Sequence, residues 1–195
     1  MHEEGQANPK WANRLTPEIL AAIRDKKLLP VADIDRGFIF PGYPTQVIVS
    51  YFEAGRMCDY IQERWGADAL LGMVHSYAAR KSTPSAIQEN LKVSPEEFDK
   101  AFLAWLAKQV GSKAEDFDKW RVGLKQLAQL VKEKKNAEIA KLVPDLVKLY
   151  PEYVGEANPY EFLAQAQLDE GDKSAATVTF KAYQNMGGES PETRT

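Results

Sequence analysis

The chain is organised around the segment Val47-Ile-Val-Ser-Tyr-Phe-Glu-Ala-Gly-Arg-Met-Cys-Asp-Tyr-Ile-Gln-Glu-Arg-Trp65, whose apolar residues recur with a helical spacing. One row consists of Val47, Tyr51, Ala54, Cys58, Ile61 and Trp65, and a second row of Ile48, Phe52 and Met57 widens it. Residues three or four positions apart lie on the same face of an α-helix. The spacing therefore predicts one long helix with both rows on its buried face. The charged residues Glu53, Arg56, Asp59 and Arg64 are expected mostly elsewhere on its surface.

The composition is that of an ordinary globular protein. The chain has 195 residues, of which 44% are hydrophobic and 27% charged, with a formal net charge of -3. It has no long block of Lys or Arg, which argues against nucleic acid as the main partner. It has no run of about 18 apolar residues, so we predict no membrane-spanning segment. The single cysteine, Cys58, excludes an internal disulfide and a zinc site built from several cysteines, and its place in the apolar row favours packing.

The segments on either side of the organising helix carry helix and turn signals. Thr16-Pro17 is typical of a helix start, and we expect a helix from there to about Lys26. The stretch Asp33 to Phe40 is expected to be extended or irregular and to end at the turn Pro41-Gly-Tyr-Pro44. A connector of this length either lines a cleft or simply wraps the core.

Three further helices are predicted before residue 112. Ala67 to Ala79 has one apolar face, made of Leu70, Leu71, Val74, Tyr77 and Ala78. Thr83-Pro84 begins a short helix that ends near Lys92, and Ser94-Pro-Glu-Glu97 has the pattern of a capping box. The helix after that box has an aromatic face suited to packing on the organising helix, formed by Phe98, Phe102, Trp105, Leu106 and Val110. Gly111-Ser-Lys113 then marks a boundary, which predicts two helical domains, 1–112 and 113–195.

The second domain contains a weak internal repeat that resembles tetratricopeptide repeats. The segment from Asn158 to Gly188 is predicted to form two antiparallel helices joined by a turn at Gly171-Asp172. The family's large and small positions are then occupied by Tyr160, Leu163, Ala164, Ala176 and Phe180. The same register on the preceding segment selects Leu124, Leu127, Ala128, Val131 and Ala140. The chain departs from the family at Gln167, Pro144 and Gly188, where aromatic, aromatic and proline residues are usual. The pattern is therefore similar to one fair repeat after one degenerate repeat, and a plain helical hairpin is the alternative.

The chain contains no complete catalytic motif. His2-Glu-Glu-Gly-Gln6 comes closest to the zinc motif H-E-x-x-H, but Gln6 stands where the second histidine would be. His75 has no paired ligand four residues away, so we expect it to be a surface or packing residue. We therefore predict no metal site and no cofactor in this chain.

Several short motifs of the first domain resemble the peptidase MA-like gluzincins, a zinc metallopeptidase-like family often fused to tetratricopeptide repeats. These motifs are His2-Glu-Glu-Gly-Gln-Ala-Asn-Pro-Lys-Trp11, Leu15-Thr-Pro-Glu-Ile-Leu20, Leu28-Leu-Pro30, Asp33-Ile-Asp-Arg-Gly-Phe38, Pro44-x-Gln-Val47, Ser50-Tyr-Phe-x-Ala54 and Ser94-Pro-Glu-Glu-Phe98. In this register the family's H-E-x-x-H motif and its glutamate ligand precede residue 1. The resemblance implies a C-terminal fragment without zinc ligands, and it assigns any zinc site to the full-length parent. Because the natural start is then missing, the compartment stays open.

The resemblance also suggests one residue with a chemical role. In related gluzincins a tyrosine downstream of the ligands can help to stabilise the oxyanion, and Tyr51 in Ser50-Tyr-Phe-Glu-Ala-Gly55 is similar to it. The alternative is a packing role, because Tyr51 lies in the predicted buried row. The sequence thus predicts an all-α lobe of a metallopeptidase-like protein with a repeat module for a protein or peptide partner. The alternative function is a noncatalytic helical scaffold of peptidase ancestry.

Overall fold

The computed structural model describes residues 15–189, and this part of the chain is all-α, without a β-strand. The helices are α1 Pro17–Arg24, α2 Arg36–Ile39, α3 Gln46–Trp65, α4 Ala67–Ala78, α5 Thr83–Leu91, α6 Pro95–Val110, α7 Lys113–Lys132, α8 Asn136–Leu149, α9 Pro159–Asp169 and α10 Lys173–Asn185, with a 3-10 turn at Val31–Asp33. The chain divides into two compact units, Met1–Gly111 and Ser112–Thr195. The boundary predicted from the sequence, between residues 112 and 113, lies one residue from this division. Over the described range, no helix is long and apolar enough to cross a membrane.

The capping box that begins α6 has the predicted geometry. The Ser94 hydroxyl accepts a hydrogen bond from the Glu97 N–H at 3.1 Å, and Glu97 Oε2 accepts one from the Ser94 N–H at 2.9 Å. These two bonds satisfy backbone donors that a helix N-terminus leaves unpaired. The helix ends at Gly111, whose φ of 58° lies in the left-handed region that favours glycine.

The organising helix is present as α3, but its predicted buried face is only partly right, since Phe52, Met57 and Ile61 are buried and most other members of the two rows are not. Its buried residues are Gln46, Val49, Ser50, Phe52, Glu53, Met57, Tyr60 and Ile61, whereas Tyr51 and Ile48 are 50% and 53% exposed. Gln46, Ser50, Glu53, Met57 and Tyr60 each directly precede a residue of the predicted row. A shift of one residue corresponds to a rotation of about 100° around the helix. The face that packs therefore contains polar side chains.

The prediction that α6 packs on α3 is confirmed, with Tyr60 at the centre of the contact. The Tyr60 ring lies 5.6 Å from the ring of Phe98, 5.9 Å from that of Phe102 and 5.4 Å from that of Trp105, between centroids. Phe98 and Phe102 are each 1% exposed. Aromatic pairs at such distances add to the stabilisation from burial. The α3–α6 contact therefore forms the aromatic core of the first unit.

Two other predictions for the first unit need correction. The stretch 33–40 is not extended: it contains the end of the 3-10 turn and the short helix α2, which packs on α3. The predicted apolar face of α4 is not buried, because Leu71, Val74 and Tyr77 are 53%, 55% and 45% exposed. The residues of α4 that are buried are Met73 and Ser76. Sequence periodicity identified α4 as a helix but placed its packing face on the wrong side.

The second unit consists of two helical hairpins that pack in chain order: α7 on α8, α8 on α9 and α9 on α10. Ala164 and Ala176 are buried, as the register requires, but Ala128 and Ala140 are exposed. In the first hairpin, α7 and α8 approach closely at Gly123 instead. A Cβ atom built on Gly123 would lie 2.2 Å from Leu146 Cδ2. A plain apolar pattern could not identify this glycine as the crossing point.

Two departures from the repeat pattern have local structural reasons. Gln167 replaces an aromatic residue, and its Oε1 accepts a hydrogen bond from the Thr179 hydroxyl at 2.8 Å. Gly188 replaces proline, and a Cβ at this position would lie 2.3 Å from the Tyr183 ring. A proline ring would overlap Tyr183, so glycine is the residue that fits.

Candidate functional site

Polar side chains occupy the part of the α3 face that packs against α2 and the segments on either side of α2. Gln46, Ser50 and Glu53 are 6%, 0% and 1% exposed. Their spacing of four and three residues places them on one side of the helix. A polar group taken out of water costs free energy unless it finds a hydrogen-bond partner. The partners of these three residues therefore define what the site does.

Glu53 is a buried carboxyl group that anchors the connector. Its Oε2 accepts a hydrogen bond from the Leu29 N–H at 3.1 Å, while its Oε1 is buried without a partner among the described residues. Burial raises the pKa of Glu53 from 4.5 to about 8; the Leu29 N–H opposes this shift, and the negative charge of Asp99 adds to it. Glu53 is therefore mostly a neutral carboxylic acid at pH 7.

Ser50 marks the closest approach between α2 and α3. A Cβ atom built on Gly37 would lie 2.0 Å from Ser50 Oγ and 2.9 Å from Leu29 Cδ1. Because glycine has no side chain, α2 can pack directly on Ser50. The Ser50 hydroxyl is buried and has no partner among the described residues. Gly37 and Ser50 thus fix the position of α2.

Tyr43 completes the polar group next to Glu53. Its hydroxyl is buried without a partner in the described part of the chain. Burial raises the pKa of Tyr43, and the nearby negative charge of Glu53 raises it further. The Lys27 ammonium lies 5.6 Å from the centre of the Tyr43 ring, in cation–π contact. The segment between α2 and α3 thus contributes a phenol whose pKa is affected by the Glu53 carboxyl.

A second carboxyl group holds the same connector from α6. Asp99 Oδ1 accepts a hydrogen bond from the Val31 N–H at 2.9 Å. Burial raises the pKa of Asp99; the Val31 N–H opposes the shift, and the charges of Glu96 and Asp33 add to it. Residues 28–31 are therefore held at alternate backbone amides by carboxyl groups from two helices. The arrangement positions a backbone segment, and its groups could donate or accept a proton.

Tyr51, the predicted site residue, does not belong to this polar group. Its side chain is 50% exposed, and its ring packs edge-on against Phe38 with centroids 4.9 Å apart and an interplanar angle of 71°. The Phe38 contact covers part of the ring, while half of the Tyr51 side chain stays accessible. The alternative role as a buried packing residue is therefore wrong for Tyr51.

The remaining residues considered from the sequence are His75, His2 and Cys58. His75 is exposed on α4, and the His2 motif lies outside the described residues. Cys58 is half-buried, and burial, together with the charge of Asp59, raises the pKa of its thiol. Such a thiol is a weak nucleophile, in agreement with a packing role. In the part that the structure describes, no three His, Cys, Asp or Glu side chains are grouped to hold a metal ion.

Sequence reasoning missed Glu53, Ser50 and Asp99 as site residues. Glu53 was expected on the helix surface because it is charged, and Ser50 was not assigned to a face. The available signal was their spacing with the apolar residues Met57 and Tyr60, which places them on one helix face. Their backbone and packing partners come from distant sequence positions, and no local pattern reveals such pairs.

Comparison with known proteins gives no match: the chain matches no protein family, no curated protein and no solved structure.

Proposed function

We propose that the chain is the helical C-terminal lobe of a zinc metallopeptidase-like protein, and that its second unit is a tetratricopeptide-like module for a protein or peptide partner. The lobe supplies no zinc ligand of its own in this proposal. Zinc is held by the H-E-x-x-H and glutamate segments that the gluzincin resemblance places before residue 1. Tyr51 then supplies the lobe's contribution to the chemistry.

The observation that carries this proposal is the accessibility of Tyr51. Its half-exposed phenol lies on a long helix and is held by the Phe38 ring. A phenol fixed in this way can donate a hydrogen bond to negative charge that develops in the transition state. The buried contacts of Ser50 and Glu53 hold the same helix in place, so the phenol has a rigid support.

The surface around α2 and α3 supports contact with another protein surface. Ile39, Phe40 and Ile48 are 65%, 74% and 53% exposed on the two helices that carry Phe38 and Tyr51. Exposed apolar side chains on neighbouring helices are typical of surfaces that pack against another domain. A metal-binding domain docked there would cover these residues and bring its site towards Tyr51.

The module proposed for the second unit is supported by its helix order and by Ala164 and Ala176. Successive helices pack on each other, and the alanines let α9 and α10 approach closely. Repeat units of this kind bind partners on the surface that their stacked helices form.

The decisive experiment is to isolate the protein from its natural source and to determine by mass spectrometry what precedes Met1. An intact H-E-x-x-H followed by E-G-x-[AS] is the expected result. In that longer protein, Tyr51→Phe should lower kcat by roughly 100-fold or more with little change in KM, which is the size found on removing one oxyanion donor. Tyr77→Phe, an equally exposed phenol on α4, is the matched control and should leave kcat unchanged. A protein that starts at Met1, or equal kcat for wild type and Tyr51→Phe, would refute the proposal.

A noncatalytic scaffold is the second candidate, and the outer face of α4 favours it. Leu71, Val74 and Tyr77 are exposed at helical spacing and form a surface suited to a partner. If the sequence before residue 1 lacks the zinc ligands, the scaffold function is favoured over the metallopeptidase function.

A further inference from the structure

A small cleft lies beside the connector segment that Glu53 and Asp99 hold. It has a volume of about 110 Å³ and is lined by Leu28, Leu29, Pro30, Asp99, Phe102 and Leu103. An apolar cavity of about 150 Å³ is known to hold benzene, so this cleft has room for about four or five non-hydrogen atoms. Its ligand is therefore the size of one aliphatic side chain.

The cleft separates apolar and charged surfaces. Phe102, which is 1% exposed, forms its deep end, whereas Leu103 is 48% exposed and Asp99 is partly exposed, so both lie nearer to solvent. Asp99 is the one ionisable group in the lining. The carboxylates of Asp33 and Glu96 add negative potential at Asp99. These surroundings favour a cation at the rim and an apolar group at the bottom.

We propose that this cleft binds the N-terminal residue of a peptide, with its α-ammonium group on Asp99 and an aliphatic side chain against Phe102. An N-terminal leucine or valine carries the ammonium group two bonds from the first side-chain carbon. Such a residue fills the bottom of the cleft while its charge stays at the rim. A lysine side chain has its ammonium at the far end of the stem and would bring the charge to Phe102 first, at a high cost in desolvation.

The wall of the cleft is preformed by the two carboxyl groups. Asp99 Oδ1 accepts the Val31 N–H, and Glu53 accepts the Leu29 N–H, so Leu28 to Pro30 are held in place before a ligand arrives. Preorganisation of this kind reduces the entropy lost on binding. The Asp99 carboxylate, which already accepts a backbone N–H, still offers lone pairs for an ammonium donor.

The test is a titration of leucinamide into the whole chain, followed by NMR of the leucine methyl groups. We expect saturable shifts at Leu28, Leu29 and Leu103 with a Kd on the order of millimolar, as is usual for a ligand of this size. N-acetyl-leucinamide lacks the charge, glycinamide lacks the side chain, and Nα-acetyl-lysinamide carries its amine on the side chain. Each should bind at least about tenfold more weakly, which corresponds to losing one charge-assisted hydrogen bond or the apolar contact.

Asp99→Asn tests the charge while keeping an oxygen that can accept the Val31 N–H. It should weaken leucinamide binding at least about tenfold, whereas Glu96→Gln, which removes an equal charge outside the lining, should weaken it at most about threefold. An amide spectrum as dispersed as that of wild type, with shifts changed only near the substitution, establishes that each variant is folded. The proposal is overturned if wild type shows no saturable shift, if acetylated leucinamide or the lysine probe binds equally well, or if folded Asp99→Asn binds like wild type.

Discussion

Glu53 and Leu29 are joined by a hydrogen bond between positions 24 residues apart, in which the Leu29 N–H donates to Glu53 Oε2 at 3.1 Å. The bond holds the α1–α2 connector against α3, on a face of that helix that its apolar spacing did not predict to be buried. A carboxyl group here is costly, since a buried charge needs compensation that one backbone N–H does not supply. Protonation removes that cost, so this contact ties the stability of the first unit to pH.

The first prediction concerns that pH dependence. Because Glu53 has a pKa of about 8 in the folded chain and 4.5 as its ordinary value, the folded state binds more protons between these values. The stabilisation from protonated Glu53 is fully present below pH 4.5 and is lost as the pH rises through about 8. The free energy of unfolding falls by at most about 5 kcal/mol over this range. Glu53→Gln keeps an oxygen for the Leu29 N–H and stays neutral. The variant should therefore be more stable than wild type at pH 9, and the difference should shrink towards pH 5.

Urea unfolding at pH 5, 7 and 9 checks this prediction. Glu89→Gln is the matched control, because Glu89 is exposed and its ion pair with Lys81 lies at the surface. The free energy of unfolding of the control should stay within about 1 kcal/mol of that of wild type at each pH. If Glu53→Gln and Glu89→Gln gave parallel curves, the Glu53 carboxyl would not titrate as described.

The second prediction concerns the contact of Gly37 with Ser50. Gly37→Ala places a methyl group 2.0 Å from Ser50 Oγ, so α2 must move away from α3. We expect a loss of about 1–3 kcal/mol in the free energy of unfolding. Adding Ser50→Ala should recover part of this loss, because it removes the nearest atom, and a double-mutant cycle measures the coupling.

Gly42→Ala is the control for this experiment. Its new methyl group would lie 3.4 Å from Gln46 Oε1, which is an ordinary contact, so the variant should be close to wild type. Equal effects at positions 37 and 42, without coupling to Ser50, would contradict the described packing of α2.

The sequence predicted the helices better than their faces. The start of α6 depends on neighbouring residues, since Ser94 and Glu97 bond to each other, and it could be identified locally. The buried face of α3 depends on what packs against it. Apolar residues surround most of this helix, and the side that is buried contains Ser50, which packs on α2, and Glu53, which accepts a hydrogen bond from the α1–α2 connector. Counting apolar residues alone therefore gave a face rotated by one residue.

The candidate site was less predictable for the same reason. A carboxyl group is expected at the surface unless its partner is known, and the partner of Glu53 is a backbone N–H that any residue except proline would provide at position 29. Tyr51 could be proposed from its resemblance to a family motif, but its accessibility follows from the rotation of α3. Local sequence therefore identified the helix and could not specify which of its residues meet the connector.

The third prediction tests the aromatic core. Phe102→Ala removes a ring that is 1% exposed and lies 5.9 Å from Tyr60, so it should cost about 3–5 kcal/mol in the free energy of unfolding. Phe40→Ala makes the same chemical change at a ring that is 74% exposed, and it should cost no more than about 0.5 kcal/mol. Thermal unfolding of the two variants gives the comparison. Similar melting temperatures for both would show that the α3–α6 contact is not the core of the first unit.

The last prediction concerns the small residues of the second unit. Ala176 is 1% exposed between α9 and α10, whereas Ala140, selected by the same register in the preceding hairpin, is exposed. Ala176→Leu should overpack its helix contact and cost about 1–3 kcal/mol, while Ala140→Leu should change stability by less than about 0.5 kcal/mol. Both changes keep a strong helix former at a position inside a helix, so propensity does not separate them. Hydrogen exchange at the α9 and α10 amides measures the effect within this unit. Equal protection in the two variants would mean that α9 and α10 do not approach closely at Ala176, and it would remove the support that this alanine gives to the proposed repeat module.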